Sequence, residues 1–177
     1  MKVVCISGKA QHGKDTTALL LKDSLEENSK RVLITHYADL LKYICTKFFD
    51  WNGEKDEVGR TLLQYVGTDV IRKQQPDYWV EFITGILKLF KDEWDYVLIP
   101  DCRFPNEYET LVKNGFNTYF IRVVRENYIS PLSVEQQTHQ SEVALDNYKH
   151  DNIVKNTSLE ELAKNAREIA NLLCSEV

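Results

Sequence analysis

Apolar residues gather along this chain in short unbroken runs, separated by longer stretches in which they recur every three or four positions. Val3-Val4-Cys5-Ile6 is the first run, and its lack of polar interruption is what a strand covered on both faces requires. Arg31-Val32-Leu33-Ile34-Thr35-His36, Tyr96-Val97-Leu98-Ile99-Pro100-Asp101 and Asn117-Thr118-Tyr119-Phe120-Ile121-Arg122-Val123-Val124-Arg125 read as further strands, and Asp151-Asn152-Ile153-Val154-Lys155-Asn156 as a short fifth. Helical spacing fills the intervals. Ala18 to Leu25 has helix formers with one apolar face, and Tyr37 to Cys45 reads as a loop leading into a helix. A mostly helical region from about Gly59 to Phe90 is divided in two at Pro76, and another helix runs from about Asn106 to Lys113 before the Gly115 stop. Ser158-Leu159-Glu160-Glu161 has the capping-box pattern and opens a last helix with Leu162, Ala166, Ile169, Ala170 and Leu173 on one side. Strand, helix and strand at this spacing imply parallel crossovers, so the expected fold is α/β: a three-layer α/β/α arrangement with a five-stranded parallel sheet.

Bulk composition narrows the classes. At 177 residues the chain fits one domain, residues 1–177, able to bury a core without disulfide or metal staples. Cys5, Cys45, Cys102 and Cys174 are far apart with no paired metal-ligand spacing, as expected of reduced thiols in a cytoplasmic protein. No secretory leader is expected, and no apolar run approaches the roughly 20 residues needed to cross a bilayer, so no membrane partner is expected either. The net charge of −5, with lysines and arginines scattered among acids, argues against a nucleic-acid partner and leaves small phosphorylated ligands open.

The stretch that carries chemistry is Gly8-Lys9-Ala10-Gln11-His12-Gly13-Lys14-Asp15-Thr16-Thr17, placed after the first strand and before the first helix. Two glycines at this spacing let backbone amides, those of Ala10 and His12 among them, turn inward around a polyphosphate, where a helix N-terminus and Lys14 add positive charge. The common form of this loop has Ser or Thr directly after the lysine, where its hydroxyl meets magnesium. Here Asp15 stands in that place with Thr16 and Thr17 behind it, which leaves Asp15, directly or through water, and Thr16 as candidates for the metal. The plain alternative is a glycine turn capped by Asp15. Further along, Asp39 falls near the carboxyl end of the second strand, where ligands collect in open parallel sheets. Asp101 ends the third strand, suited either to hold magnesium or to cap a helix. The fourth strand delivers Arg125 to the same edge, Arg60 and Arg72 are site cations or ordinary charges on a solvated helix face, and Trp79 suits a core anchor. The polar excursion from about 126 to 150 is longer than a connector needs and suits a mobile cover over a reaction.

Taken together, Gly8 to Thr16, Tyr37-Ala38-Asp39-Leu40-Leu41-Lys42, Leu63-Gln64 with Gly67-Thr68 and Arg72, Pro76-Asp77-Tyr78-Trp79-Val80, Asp101-Cys102-Arg103-Phe104-Pro105-Asn106-Glu107 and His139-Gln140-Ser141-Glu142 resemble the P-loop nucleoside monophosphate kinases, and among them the small deoxynucleoside monophosphate kinases typical of bacteriophages. The resemblance implies the P-loop kinase fold with a helical acceptor-binding region at about 37–92 and a lid at about 126–150. It implies ATP and magnesium as cofactors, a deoxynucleoside monophosphate as acceptor, and a homodimer if the chain self-associates. ATP would be held by Gly8, Ala10, His12, Gly13, Lys14, Asp15, Thr16 and Thr17, with Asp15 and Asp101 toward the metal. Arg72 and Arg103 would meet the acceptor phosphate, and Arg125 would lead into the lid and touch the transferring group on closure. The acceptor site would also draw on Asp39, Lys42, Gln64, Trp79, Glu107, His139, Ser141 and Glu142. Lys14, Arg103, Arg125 and Asp101 would be the catalytic set.

Overall fold

The computed structural model describes residues 1–175. Strands β1 (Lys2–Ser7), β2 (Val32–Ile34), β3 (Tyr96–Ile99), β4 (Asn117–Val124) and β5 (Asn152–Lys155) form one parallel sheet in the order β2-β3-β1-β4-β5. β1 is central: Lys2 lies opposite Tyr96 on one side and Asn117 on the other. All six of its residues are buried, which is why its sequence is unbroken rather than alternating.

Period-two geometry sorts the strand side chains into two cores. Val4, Ile6, Leu98, Ile121 and Val123 face α1 (Lys14–Glu27) and α8 (Leu159–Ser175), meeting Ala18, Leu21, Leu25, Leu162, Ala166 and Ile169. Val3, Cys5, Val97, Ile99 and Phe120 face the other way, onto residues of α2 (Ala38–Phe48), α4 (Tyr78–Leu89) and α5 (Pro105–Lys113), such as Leu41, Ile83 and Leu111. The three-layer α/β/α arrangement follows from these two faces. The expected capping of α8 is present, since Ser158 Oγ accepts the Glu161 amide at 3.1 Å.

The first helix begins at Lys14, directly out of the glycine loop, so the loop and helix N-terminus are one unit. Two local features differ from the sequence expectation. β2 ends at Ile34, because His36 turns out of the sheet toward Asp15, with Nε2 3.0 Å from its Oδ1. The helical region before Pro76 is α3 (Glu57–Gln64) continued by a π-helical stretch, Tyr65–Arg72. The wider π turn brings Gly67 against Leu41, where a Cβ would come within 2.6 Å of Leu41 Cδ2, and its carbonyl accepts Trp79 Nε1 at 3.1 Å. The polar excursion holds α6 (Val134–Thr138) and α7 (Gln140–Val143). Among the described residues no helix is long and apolar enough to cross a membrane.

Phe120 fixes β4 to this frame, with its ring stacked on Tyr108 at 4.7 Å and tilted on His150 at 4.4 Å. Phe120→Ala is expected to cost about 3–5 kcal/mol. Urea denaturation should then give a lower midpoint at unchanged slope, and a loss below about 1 kcal/mol would contradict this packing role.

Candidate active site

The loop from Gly8 to Gly13 sits at the carboxyl edge of β1 and is held there from outside. Gly8 and Gly13 have φ of 150° and 97°, and a Cβ on either would come within 2.5 Å of the Val123 carbonyl or of Asn156 Nδ2. Asn156 Nδ2 also donates to the His12 carbonyl at 3.0 Å, and the Arg125 amide donates to His12 Nδ1 at 3.2 Å. Lys9 pairs with Asp146 at 3.0 Å, and Asp146 also takes Arg122 at 2.7 Å. β4, β5 and the far end of the polar excursion therefore clamp the loop. Lys14 Nζ turns back over it and donates to the Gly8 and Lys9 carbonyls, both at 2.8 Å. Burial pushes its ammonium down to about 8, with nearby Arg103 adding to the shift and Glu142 opposing it.

An anion already rests on this loop. Glu142, from α7, accepts the Ala10 amide at 2.9 Å through Oε2 and an Arg103 guanidinium hydrogen bond through Oε1. Burial alone would raise its carboxyl, but Arg103, the Ala10 amide and Lys14 hold it below the usual carboxylate range. Arg103 also donates to the Ser141 carbonyl at 3.3 Å. A second carboxylate, Glu107, is only 2% exposed and organises the turn after β3. It accepts the Arg103 amide at 2.6 Å, the Phe104 amide at 3.0 Å and Arg72 Nη2 at 2.6 Å. Burial pushes the Glu107 carboxyl up, while Arg72 and the two amides pull against that.

These groups line one cleft of about 580 Å³ that runs from the loop to α3 and the π turn. Of the residues singled out in the sequence, the cleft brings together Ala10, Lys14, Asp15, Lys42, Arg60, Gln64, Arg72, Trp79, Asp101, Arg103, Glu107, Ser141 and Glu142. Several have partners that define what they do there. Asp101 accepts the Tyr37 and Ala38 amides at 3.0 and 2.9 Å, so it caps the start of α2. Arg72 is engaged by Glu107, by Asn106 Oδ1 and the Pro76 carbonyl at 3.2 Å, and lies over the Phe104 ring at 4.0 Å. Trp79 is 3% exposed and serves the core, with an edge on the cleft. Asp39 pairs with Lys42 at 2.8 Å and accepts the His36 amide at 3.1 Å.

Gly8, His12, Gly13, Thr16, Thr17, Asp39, Arg125 and His139 lie outside the lining. Thr17 is buried and its hydroxyl donates to the Gly13 carbonyl at 2.9 Å. His139 caps α7, its Nδ1 accepting the Ser141 amide at 3.2 Å. The Arg125 guanidinium lies over the Tyr128 ring at 4.6 Å. For a metal, the described residues hold no group of three His, Cys, Asp or Glu. Magnesium keeps water and phosphate ligands and takes only one or two oxygens from protein. Asp15 and Thr16 are exposed beside Lys14 and fit that need. Asp15 is held below its ordinary value by the His36 hydrogen bond. Arg60 lines the cleft, as the site-cation reading of it required, and His36 and Lys55 line it too; of these only Lys55 was not singled out in the sequence. Lys55 lies in a polar turn, and what places it here is contact between distant segments.

The family described as deoxynucleotide monophosphate kinase matches residues 36–166. A protein of Acanthamoeba polyphaga mimivirus, provisionally named a deoxynucleotide monophosphate kinase, is 29% identical over 193 residues, covering 91% of this chain and 92% of that protein. The Mycobacterium tuberculosis APS kinase CysC, solved with AMPPNP and APS, superposes with a TM-score of 0.58 at 12% identity over 97% of this chain and 96% of its own. A sugar kinase from Janibacter sp. gives a TM-score of 0.51 at 11% identity over 93% and 91%. These likenesses establish the P-loop kinase fold. The match from residue 36 to residue 166 runs through α2, the π turn, the Asp101–Glu107 turn and α7, and on that span the chain belongs to the deoxynucleotide monophosphate kinase family.

Proposed function

We propose that the protein transfers the γ-phosphoryl group of ATP to the 5′-phosphate of a deoxynucleoside monophosphate, giving ADP and a deoxynucleoside diphosphate. The observation that carries this reading is the Glu142 carboxylate seated on the Ala10 amide beside Lys14 and Arg103, which is the chemistry a polyphosphate tail would need at that place. Family membership supports a deoxynucleotide acceptor, and the AMPPNP in the APS kinase structure supports ATP as donor.

In this scheme the ATP phosphates displace Glu142 from the loop, and Lys14 leaves the Gly8 and Lys9 carbonyls to meet them. Asp15 and Thr16 would hold magnesium, which neutralises phosphate charge when bound. The acceptor phosphate faces Arg103 and Arg60. Arg72 and Glu107 act as positioning residues, fixing the turn that carries Arg103, while Asp101 fixes α2. An acceptor phosphate oxygen attacks the γ-phosphorus, the bond to the β–γ bridging oxygen breaks, and that electron pair leaves on ADP. The nucleophile is already an anion, so no general base is needed; the difficulty is bringing two polyanions together, and the cations supply that. The 126–150 segment, through Leu132, Ser141 and Glu142, shields the cleft from water that would hydrolyse ATP. Arg125 reaches the transferring group only if its stack on Tyr128 opens.

Three outcomes check this scheme. Lys14→Ala and Arg103→Ala should each lower coupled-assay ADP release from ATP plus a deoxynucleoside monophosphate by at least about 100-fold, and near-normal turnover in either would reject its assigned role. Glu142→Gln removes the competing charge, so calorimetry should find ATP bound several-fold more tightly, whereas equal or weaker binding would count against displacement. With the Lys14 pKa at about 8 in the free protein, binding an anion restores its proton above that pH, so affinity falls as pH rises. Between about pH 7 and about pH 9 the loss should be roughly tenfold, and a flat profile would show that the ammonium does not meet the phosphates.

A further inference from the structure

Most cations of the cleft have a protein partner. Lys42 has Asp39 at 2.8 Å, Arg72 has Glu107 at 2.6 Å, Arg103 has Glu142, and Lys14 is bonded to loop carbonyls. Lys55 and Arg60 line the same cleft without a hydrogen-bonded or ion-paired side-chain partner among the described residues.

Lys55 lies in the loop between α2 and α3, and this loop is held at several points. Trp51 is 9% exposed, and its Nε1 donates to the Glu54 carbonyl at 2.9 Å. Asp56 caps α3 by accepting the Gly59 amide at 2.7 Å. Asp50 and Gly53 take left-handed backbone, with φ of 51° and 91°, to make the turn between them. Lys55 therefore sits between two fixed points, and the entropy of placing it is partly met before any ligand arrives. Its charged surroundings are Lys42, Arg60 and Arg103, with Asp15 as the attractive member. Asp15 belongs to the nucleotide loop, and Arg103 to the turn opposite. An ammonium placed where cations outnumber anions, at the junction of those two walls, is favourable when a further anion fills the space.

We propose that Lys55 is a phosphate-contacting residue of this site, bearing on the phosphates where donor and acceptor meet, with Arg60 beside it on the acceptor side. The assignment rests on the phosphoryl-transfer reading above. Lys55 forms no covalent bond and keeps its protons; its part is to screen repulsion between the two anions.

Lys55 is exposed on the cleft rim, so Lys55→Met should fold normally, with an unchanged melting temperature as the control. The variant is expected to lose on the order of 100-fold in kcat/KM for the deoxynucleoside monophosphate, with ATP affinity by calorimetry changed less than about threefold, and Lys55→Arg should recover part of the loss. A second arm needs no turnover: trinitrobenzenesulfonate labelling, mapped by mass spectrometry, should modify Lys55 in the free protein and spare it with AMPPNP and a deoxynucleoside monophosphate present. Labelling of Lys55 that is the same with and without nucleotide overturns the assignment whatever the activities are, as does full activity of Lys55→Met. Wild-type protein that phosphorylates no deoxynucleoside monophosphate would instead fail the reaction proposed above, and the labelling arm would still decide whether Lys55 meets phosphate.

Discussion

Lys14, Lys42, Lys55, Arg60, Arg72 and Arg103 converge on one cleft, opposed there by Asp15, Asp101, Glu107 and Glu142. The cleft is thus positive in a chain whose formal net charge is −5. Cations brought this close and partly out of water repel one another, and the fold must hold them against that repulsion. It does so with carboxylates that are themselves anchored. Glu107 is buried and ties Arg72 to the turn carrying Arg103, and Glu142 bridges Arg103 to the loop. The excess that remains at Lys14, Lys55 and Arg60 is the charge left over for ligands.

The sheet exists, in functional terms, to keep the two ends of this arrangement in register. β1 hands its chain to the glycine loop and α1, while β3 next to it hands its chain to Asp101 and Arg103. Loop and turn therefore leave adjacent strand ends, and their separation is fixed by main-chain hydrogen bonds rather than by side-chain packing. On the other flank, β4 and β5 supply Val123 and Asn156, which press on the glycines and leave no room for a Cβ. The residues 126–150 between those strands return to the loop through Glu142 and Asp146, so any movement of that segment is coupled to whatever occupies the Ala10 amide.

Much of this was legible in the sequence, because it rests on local signals. Val3 to Ile6 could be read as a buried strand from its unbroken apolarity, and the glycine loop from its spacing between strand and helix. Each of the other strands was also apparent as an apolar run. What was not legible depends on partners far along the chain. Asp101 offered two readings, metal holder and helix cap, and only the positions of the Tyr37 and Ala38 amides reveal that its oxygens cap α2. Arg72 offered two readings, site cation and solvated surface charge, and neither revealed that Glu107, 35 positions away, holds it. The π turn has the same apolar spacing as an α-helix over a few residues, so nothing in Tyr65 to Arg72 announced the wider winding that seats Gly67 on Leu41. Lys55 lay in a polar turn without periodicity, and its place on the cleft comes from the anchoring of Trp51 and Asp56.

The proposed reaction requires that a second phosphorylated molecule, rather than a hydroxyl or water, receive the γ-phosphoryl group in this cation-rich cleft. Phosphorus-31 NMR of wild-type protein with magnesium, ATP and each common deoxynucleoside monophosphate reads the fate of that group directly. New resonances of a deoxynucleoside diphosphate should grow as ADP forms if the proposed transfer occurs. ADP accompanied only by inorganic phosphate, or ATP left intact with every acceptor, would contradict it.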